Sequence, residues 1–435
     1  MSEAIYKSEP LRCWNKAKEM RVNYYKDYVQ AKEKGGLRWT TGAASLQPLV
    51  RGLGNDVHSL TGEPYGASIA NNPSFATQCQ EALEAKGFAR DLCAYLRNYW
   101  GAMFLNKWLW GGEYPKPDFA LQAHFCCMHS KWYQLVSEHE GIPFFSVDLA
   151  IGLQEDMLVH RQEYVENQCY DAIEWMEKTT GRKYDDENFI NAVYSDHENM
   201  CLWAKICELN KNIPAPLDEK SMYALYVFNA LDRPSEEVTA FYREVFDEVK
   251  YRVENQIAAV PNERIRLIHD SQPPWSFLKI FRYLEIHGAV SVGSFYTNCL
   301  MSSWDFKDGH LVVPKSLREQ GRVLKTREDA VRAMVEVYTT IRPIHDQFAL
   351  AWPKSAYMLS LVRDWHCDGA IMHFNRGCEG ASLGCAENRL ALLKEGIPVC
   401  VYEGNMGDDR EFDPGETMNR VEAFMESLGA KKQKS

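Results

Sequence analysis

Two stretches of this chain follow one order of residues, and that order narrows the fold more than any other feature. The first opens at Asp118. An apolar run over residues 119–125 ends in Cys126-Cys127, a helical pattern covers 131–140, and Gly141-Ile-Pro143 leads into a second apolar run over 144–147. The second opens at Asp368 and reads Asp368-Gly-Ala-Ile-Met-His-Phe-Asn-Arg-Gly-Cys378. A helical pattern follows over 387–395, then Gly396-Ile-Pro398 and another apolar run over 399–402. Asp, strand, cysteine, helix, Gly-Ile-Pro, strand, met twice, is an internal structural repeat. Short apolar runs alternating with helices imply mostly parallel sheets. Ligands in such sheets sit just outside the carboxyl ends of strands, where both cysteine turns fall.

The rest of the chain extends this rhythm. Residues 1–34 read as a charged helical segment ended by Gly35-Gly36, and 46–60 as a short apolar-periodic segment broken by glycines. Residues 61–72, with Gly62, Pro64, Gly66 and Asn71-Asn72, read as a loop. Pro73 suits the first turn of a helix over 73–86. A second helix is predicted over 88–105, with Cys93 in its first half. The Gly/Pro/aromatic loop 108–117 is expected to line an aromatic pocket, although each ring taken alone reads as core. Residues 153–256 lack strand alternation and read as helical. Strands return at 265–268 and 289–292, with helices at 275–285, 326–341 and 354–364.

The fold class is therefore α/β, with two α/β layers on either side of a helical insertion. The division is a helical N-terminal segment (1–60), a first α/β domain (61–152), a mainly helical region (153–256) and a second α/β domain (257–435). A chain of 435 residues can hold two or three such cores. The tail 431–435 is expected to fray.

Composition excludes several classes. A net charge of −11 argues against bulk binding to nucleic acid or to anionic membranes. Residues 1–10 carry Glu3, Lys7 and Glu9 and do not form a signal peptide. No run of 18 apolar residues predicts a membrane span, so a cytoplasmic location is expected. There is no phosphate-binding Gly-x-x-x-x-Gly-Lys-Ser/Thr, and Gly52-Leu-Gly54 does not extend to a dinucleotide fingerprint. His197-Glu198 is followed by Cys201 where a zinc protease helix carries its second His. No Cys-x-x-Cys pair exists. Gly380-Ala-Ser382-Leu-Gly384 matches a serine nucleophile elbow by letters. The elbow needs a strand running straight into the serine turn, and here a polar turn intervenes, so Ser382 reads as a loop serine.

What remains is thirteen cysteines. In a reducing compartment a disulfide frame is not expected, which leaves buried thiols, metal ligands or redox groups. Cys400 in an apolar strand, and Cys169, Cys201 and Cys207 on helical patterns, suit plain burial. Turn cysteines at two matching strand ends suit it less. An iron–sulfur or redox site and simple burial both stand at this point.

At these residues the chain resembles the 2-hydroxyacyl-CoA dehydratase and benzoyl-CoA reductase family. The resemblance lies in the Asp368 to Cys378 stretch with Ser382-Leu-Gly384 and Gly396-Ile-Pro398, and in 264–270 with Pro273-Pro274. Gly62-Glu-Pro-Tyr-Gly-Ala67, Arg90-Asp-Leu-Cys-Ala-Tyr95, Asn98-Tyr-Trp-Gly101 and Cys126-Cys127 look like the B-type catalytic subunits of its ATP-dependent benzoyl-CoA reductases. The matches span nearly the whole chain and keep their order. The resemblance implies two flavodoxin-like parallel-sheet domains and one [4Fe-4S] cluster held by three cysteines from separate segments. These are Cys93, one of the Cys126-Cys127 pair, and Cys378. The family carries one cysteine at the second place, followed by Asp and then lysines. Placing Lys131 on those lysines favours Cys127, with Cys126 the alternative. Met128 stands where the family has Asp. Cys385 stands where many relatives have another residue, and reads as buried.

Three thiolates leave one iron of a cubane open to water or a substrate oxygen. The resemblance implies reduction of benzoyl-CoA to a cyclic dienoyl-CoA by alternating single electrons and protons. Breaking aromaticity needs a very low potential, so reduced ferredoxin is expected to act through a partner ATPase. A second catalytic subunit and two ATPase subunits are the implied partners. Candidate proton donors are His124, His129 and His373, each equally readable as a hydrogen-bond donor beside the cluster. Two other readings stand. One is a 2-hydroxyacyl-CoA dehydratase subunit, a lyase making a transient ketyl radical with the same cluster. The other is a non-catalytic scaffold that binds no cluster.

Overall fold

The computed structural model describes residues 5–124, 126–150, 158–341 and 351–430. The expected frayed tail at 431–435 lies outside them. The first sheet holds β1 (Leu37–Thr41), β2 (Val57–Thr61), β3 (Phe119–His124) and β4 (Phe144–Asp148). The second holds β5 (Ile265–Asp270), β6 (Ala289–Ser291), β9 (Gly369–Asn375) and β10 (Val399–Gly404), after a small antiparallel hairpin of β7 (Asp305–Lys307) and β8 (His310–Val312). The sheet orders are β2-β1-β3-β4 and β10-β9-β5-β6, and neighbouring strands in both are parallel. In the first sheet the chain starts at an inner strand, moves outward to β2, then crosses back to β3 and β4. In the second it starts at β5, moves outward to β6, then crosses back to β9 and β10. Numbered within each sheet, both orders are 2-1-3-4, the doubly wound flavodoxin-like order, with the switch point between strands 1 and 3. The α/β class and the two flavodoxin-like units expected from the sequence are therefore present.

The repeated residues have matching structural roles. Asp118 accepts the Arg38 N–H at 2.9 Å, and Asp368 accepts the Arg266 N–H at 2.8 Å. Each aspartate thus pins strand 3 of its sheet beside strand 1 at the edge away from the cysteines. Gly141 and Gly396 sit at φ 63° and 77°, closing their helices in the left-handed conformation that glycine favours. The Ile142 N–H then returns to Ser137 and the Ile397 N–H to Leu392. The carbonyls of Pro143 and Pro398 accept from Ala120 and Ala370 at the start of strand 3.

Alternating residues of β3 feed two cores. Phe119, Leu121 and Ala123 pack into the larger one, and Ala120 into a second, aromatic one with Trp132 and Tyr133. Between the sheets lie the helices Leu158–Thr180, Asp186–Leu209, Glu219–Leu231 and Glu236–Glu254.

Three local expectations change. Residues 37–41 and 57–61 are strands of the first sheet, although 57–60 fell in a segment read as apolar-periodic and 37–41 were given no element; their Trp39, Leu60 and Thr61 are buried by tertiary contacts. Residues 62–70, read as a loop, form the helix Gly62–Ala70. Its glycines serve close packing instead of a turn. A Cβ at Gly62 would lie 2.5 Å from the Trp132 ring, and one at Gly66 2.9 Å from Tyr95 Cα. The helix predicted over 88–105 begins at Ala94, with Cys93 in a non-helical conformation (φ −45°, ψ 124°) just before it. None of the helices in the described residues is long and apolar enough to cross a membrane.

Candidate functional site

The two switch points face one cavity. After β1 comes Ala43, after β3 Cys126, after β5 Gln272 and after β9 Cys378, and all four line it. Cys93 lines it as well, from the start of the helix Ala94–Phe104. Backbone hydrogen bonding ties the segments together: the Ala94 N–H donates to the Gly377 carbonyl at 3.2 Å, beside Cys378. A larger open groove between the helix Trp14–Gln30 and residues 188–195 and 232–238 contains no cysteine. Chemistry, not size, picks out the site.

Each thiol sits where a helix begins. Cys126 directly precedes the helix Cys127–Glu140, and Cys378 the single turn Glu379–Ser382. Burial pushes the Cys93 thiol well above its usual range, and the neighbouring Cys378 and Cys126 add to this, while the amides of Leu96 and Tyr95 pull the other way. Burial pushes Cys378 up to about 12, against the pull of the Ala381 N–H, which reaches its Sγ at 3.4 Å. Cys126 differs. Burial again opposes ionisation, yet the His129 imidazole, with Nδ1 3.2 Å from Sγ, holds this thiol below its usual range. His129 Nε2 contacts Glu63 Oε1, and the other Glu63 oxygen accepts the Ala43 N–H at 2.7 Å. Burial disfavours the imidazolium, but Cys126 and Glu63 together raise His129 to about 10.

The remaining walls are aromatic and apolar: Trp132, Tyr95, Tyr226 and Tyr296, with Met128 and Leu300. The loop 108–117, expected to supply such rings, does not line the cavity. Trp108 stacks on Tyr65 at 5.1 Å in the aromatic core, and Trp110 is exposed. Ser382 bonds both the N–H and the carbonyl of Asn375 and shapes the turn after β9. Cys385 is buried, as expected.

The structure thus gathers Cys93, Cys126 and Cys378, and leaves Cys127 exposed and outside the cavity lining. The histidines separate. His124 faces Asp148 at 3.4 Å and is partly exposed. Both ring nitrogens of His129 are engaged. His373 is buried away from the cavity, its Nδ1 donating to the Gln272 carbonyl at 2.8 Å, and burial lowers its pKa to about 4. Sequence reasoning missed Glu63 and Gln272 as site residues. The signal for Glu63 was its place beside Gly62, in a glycine-rich stretch that permits close backbone approach.

Three thiols lining one cavity are the type of donor set a cubane takes. No group of three or more His, Cys, Asp or Glu among the described residues is close enough to share one metal ion. A cubane asks for a wider arrangement, one thiolate on each of three irons. Thiols raised by burial need a cationic partner to ionise, which iron supplies, and backbone N–H groups aimed at the sulfurs offset the charge left over.

The chain matches the 2-hydroxyglutaryl-CoA dehydratase, D-component family over residues 68–428. It is 23% identical over 420 residues to the (R)-2-hydroxyisocaproyl-CoA dehydratase alpha subunit of Clostridioides difficile, covering 95% of each chain. It is 23% identical over 409 residues to the (R)-phenyllactyl-CoA dehydratase alpha subunit of Clostridium sporogenes, covering 93% of each. To the B-type subunit of benzoyl-CoA reductase from Thauera aromatica it is 23% identical over 372 residues, covering 80% of this chain and 79% of that one.

Proposed function

The chain belongs to the 2-hydroxyglutaryl-CoA dehydratase D-component family, and we propose that it is a catalytic subunit holding one [4Fe-4S] cluster through Cys93, Cys126 and Cys378 and acting on an aromatic CoA thioester of the benzoyl-CoA type. The observation that carries this reading is the cavity itself, three thiols from three helix starts beside a wall of four aromatic rings. Bound there, the cluster supplies one-electron transfer at low potential. Glu63 and His129 orient Cys126, and His129 favours its ionised form. Trp132, Tyr226 and Tyr296 exclude water and offer flat apolar surfaces to a planar acyl group. Cys126 takes the second ligand place that the position of Lys131 gave to Cys127, because of the two only Cys126 lines the cavity.

The relatives are named as alpha or B-type chains of their enzymes, which supports a complex with a second catalytic subunit. ATPase subunits and reduced ferredoxin complete the proposed assembly, in the cytoplasm. A second reading, a 2-hydroxyacyl-CoA dehydratase subunit, is favoured by the two dehydratase relatives that cover 95% and 93% of the chain.

The test begins with the chain purified without oxygen. About four iron and four sulfide per chain are expected for one cubane. The assembled complex is then given benzoyl-CoA and 2-hydroxyacyl-CoA separately. A ring-reduced product supports the reductase, loss of water the dehydratase. A well-folded chain without iron sinks both and leaves a scaffold.

A further inference from the structure

The aromatic wall and the thiols are linked by hydrogen bonds that run in one direction. Trp275 Nε1 lies 2.5 Å from Tyr95 Oη. An indole N–H can only donate, so the Tyr95 oxygen accepts there. Tyr226 donates to Tyr296 at 2.5 Å on the same cavity wall. The Tyr95 hydroxyl donates its own proton to Gln272 Oε1 at 3.3 Å. That contact fixes the amide the other way round, so Gln272 Nε2 faces Cys378 Sγ at 3.6 Å. Burial is close to complete, since Tyr95 is 3% exposed and Gln272 5%. His373 holds the Gln272 backbone from behind through its carbonyl.

We propose that Trp275, Tyr95 and Gln272 form a directed hydrogen-bond chain whose terminal amide sets the reduction potential of the group held at Cys378. The inference rests on the cluster reading above. Hydrogen bonds in a buried chain polarise one another, so the strength of the last one depends on those before it. An N–H aimed at a ligating sulfur stabilises the more negative, reduced cluster and raises its potential. Gln272 and Tyr95 are thus positioning residues for the electron-accepting centre. Tyr95 and Gln272 also line the wall where an acyl group would lie, so a bound acyl group that shifts the Tyr95 hydroxyl is felt at the sulfur.

The experiment is an anaerobic redox titration of the wild-type chain and of Gln272→Leu and Tyr95→Phe, followed by electron paramagnetic resonance, with iron and sulfide counted in each. All three are expected to hold equal iron. Gln272→Leu is expected to lower the midpoint potential by about 59 mV, a tenfold change in a one-electron equilibrium. Tyr95→Phe keeps the ring and the amide and is expected to lower it by less. If Gln272→Leu loses iron, Tyr95→Phe decides alone. A fully loaded Tyr95→Phe chain at the wild-type potential overturns the inference and leaves the cluster reading intact. A wild-type chain without iron overturns the cluster reading and this inference with it.

Discussion

Cys126 and Cys127 are neighbours in sequence and opposites in surroundings. Cys126 is extended (φ −142°, ψ 157°) and lies against His129 in the cavity, while Cys127 opens the helix and is exposed. Cys126→Ser is therefore expected to lose most of the bound iron, and Cys127→Ser to keep it, in parallel anaerobic iron and sulfide assays. Equal iron in both variants would contradict the assignment. Glu63 is the second residue whose weight shows only in three dimensions, for it bridges a buried imidazole to the turn after β1. Glu63→Ala leaves buried donors without an acceptor and should cost about 1–3 kcal/mol in urea unfolding. Cys378 stood out as a strand-end cysteine, and Cys93 was singled out only through the family resemblance; both line the cavity. The choice within the cysteine pair was not, because it turns on one backbone conformation that no letter encodes.

At the scale of elements, the Asp and Gly-Ile-Pro signatures were readable because each has a local duty. One receives a strand N–H, and the other closes a helix and hands a carbonyl to the next strand. Asp368→Ala removes the acceptor for the Arg266 N–H and is expected to destabilise the chain by about 1–3 kcal/mol. Because the site lies at the far ends of the same strands, it should cost little in iron content at low temperature. An unchanged unfolding midpoint would show that the clamp contributes nothing. The helix Gly62–Ala70 was not readable, since its glycines and Pro64 signal a turn. Those glycines let Tyr95 and Trp132 approach. Gly66→Ala should push this helix off the helix Ala94–Phe104 at a cost of about 1–3 kcal/mol, visible as a lower melting temperature.

Across the whole molecule, the two sheets are clasped near the site by buried charge. Arg97, on the helix that begins after Cys93, pairs with Asp408, beyond β10, at 2.8 Å, and both side chains are fully buried. Arg410 joins Asp408 and reaches Glu84 at 2.5 Å. Burial opposes the Asp408 charge, but hydrogen bonds from Arg410 and Arg97 hold it down at about 2. The folded pKa is lower than the unfolded value of about 3.9, so the clasp stabilises the chain fully above that value. This contribution is lost as pH falls from about 4 to about 2. Asp408→Asn removes the nearer of the two carboxylates that face Arg97, leaving Glu84 at 3.5 Å, and should cost up to about 3–5 kcal/mol at neutral pH. The gap between variant and wild type should narrow over that acid window in chemical unfolding, and a gap independent of pH would refute the clasp. From residue order alone came the repeat, the parallel α/β rhythm and the cysteine turns at strand ends, because strands, caps and turns answer to neighbours a few residues away. The meeting of the two switch points over one cavity, the placing of Cys126 and not Cys127 in its lining, and the route from Trp275 to Cys378 were decided by tertiary packing. These depend on contacts between segments far apart in the chain, and no local pattern records which distant side chain will close a given gap.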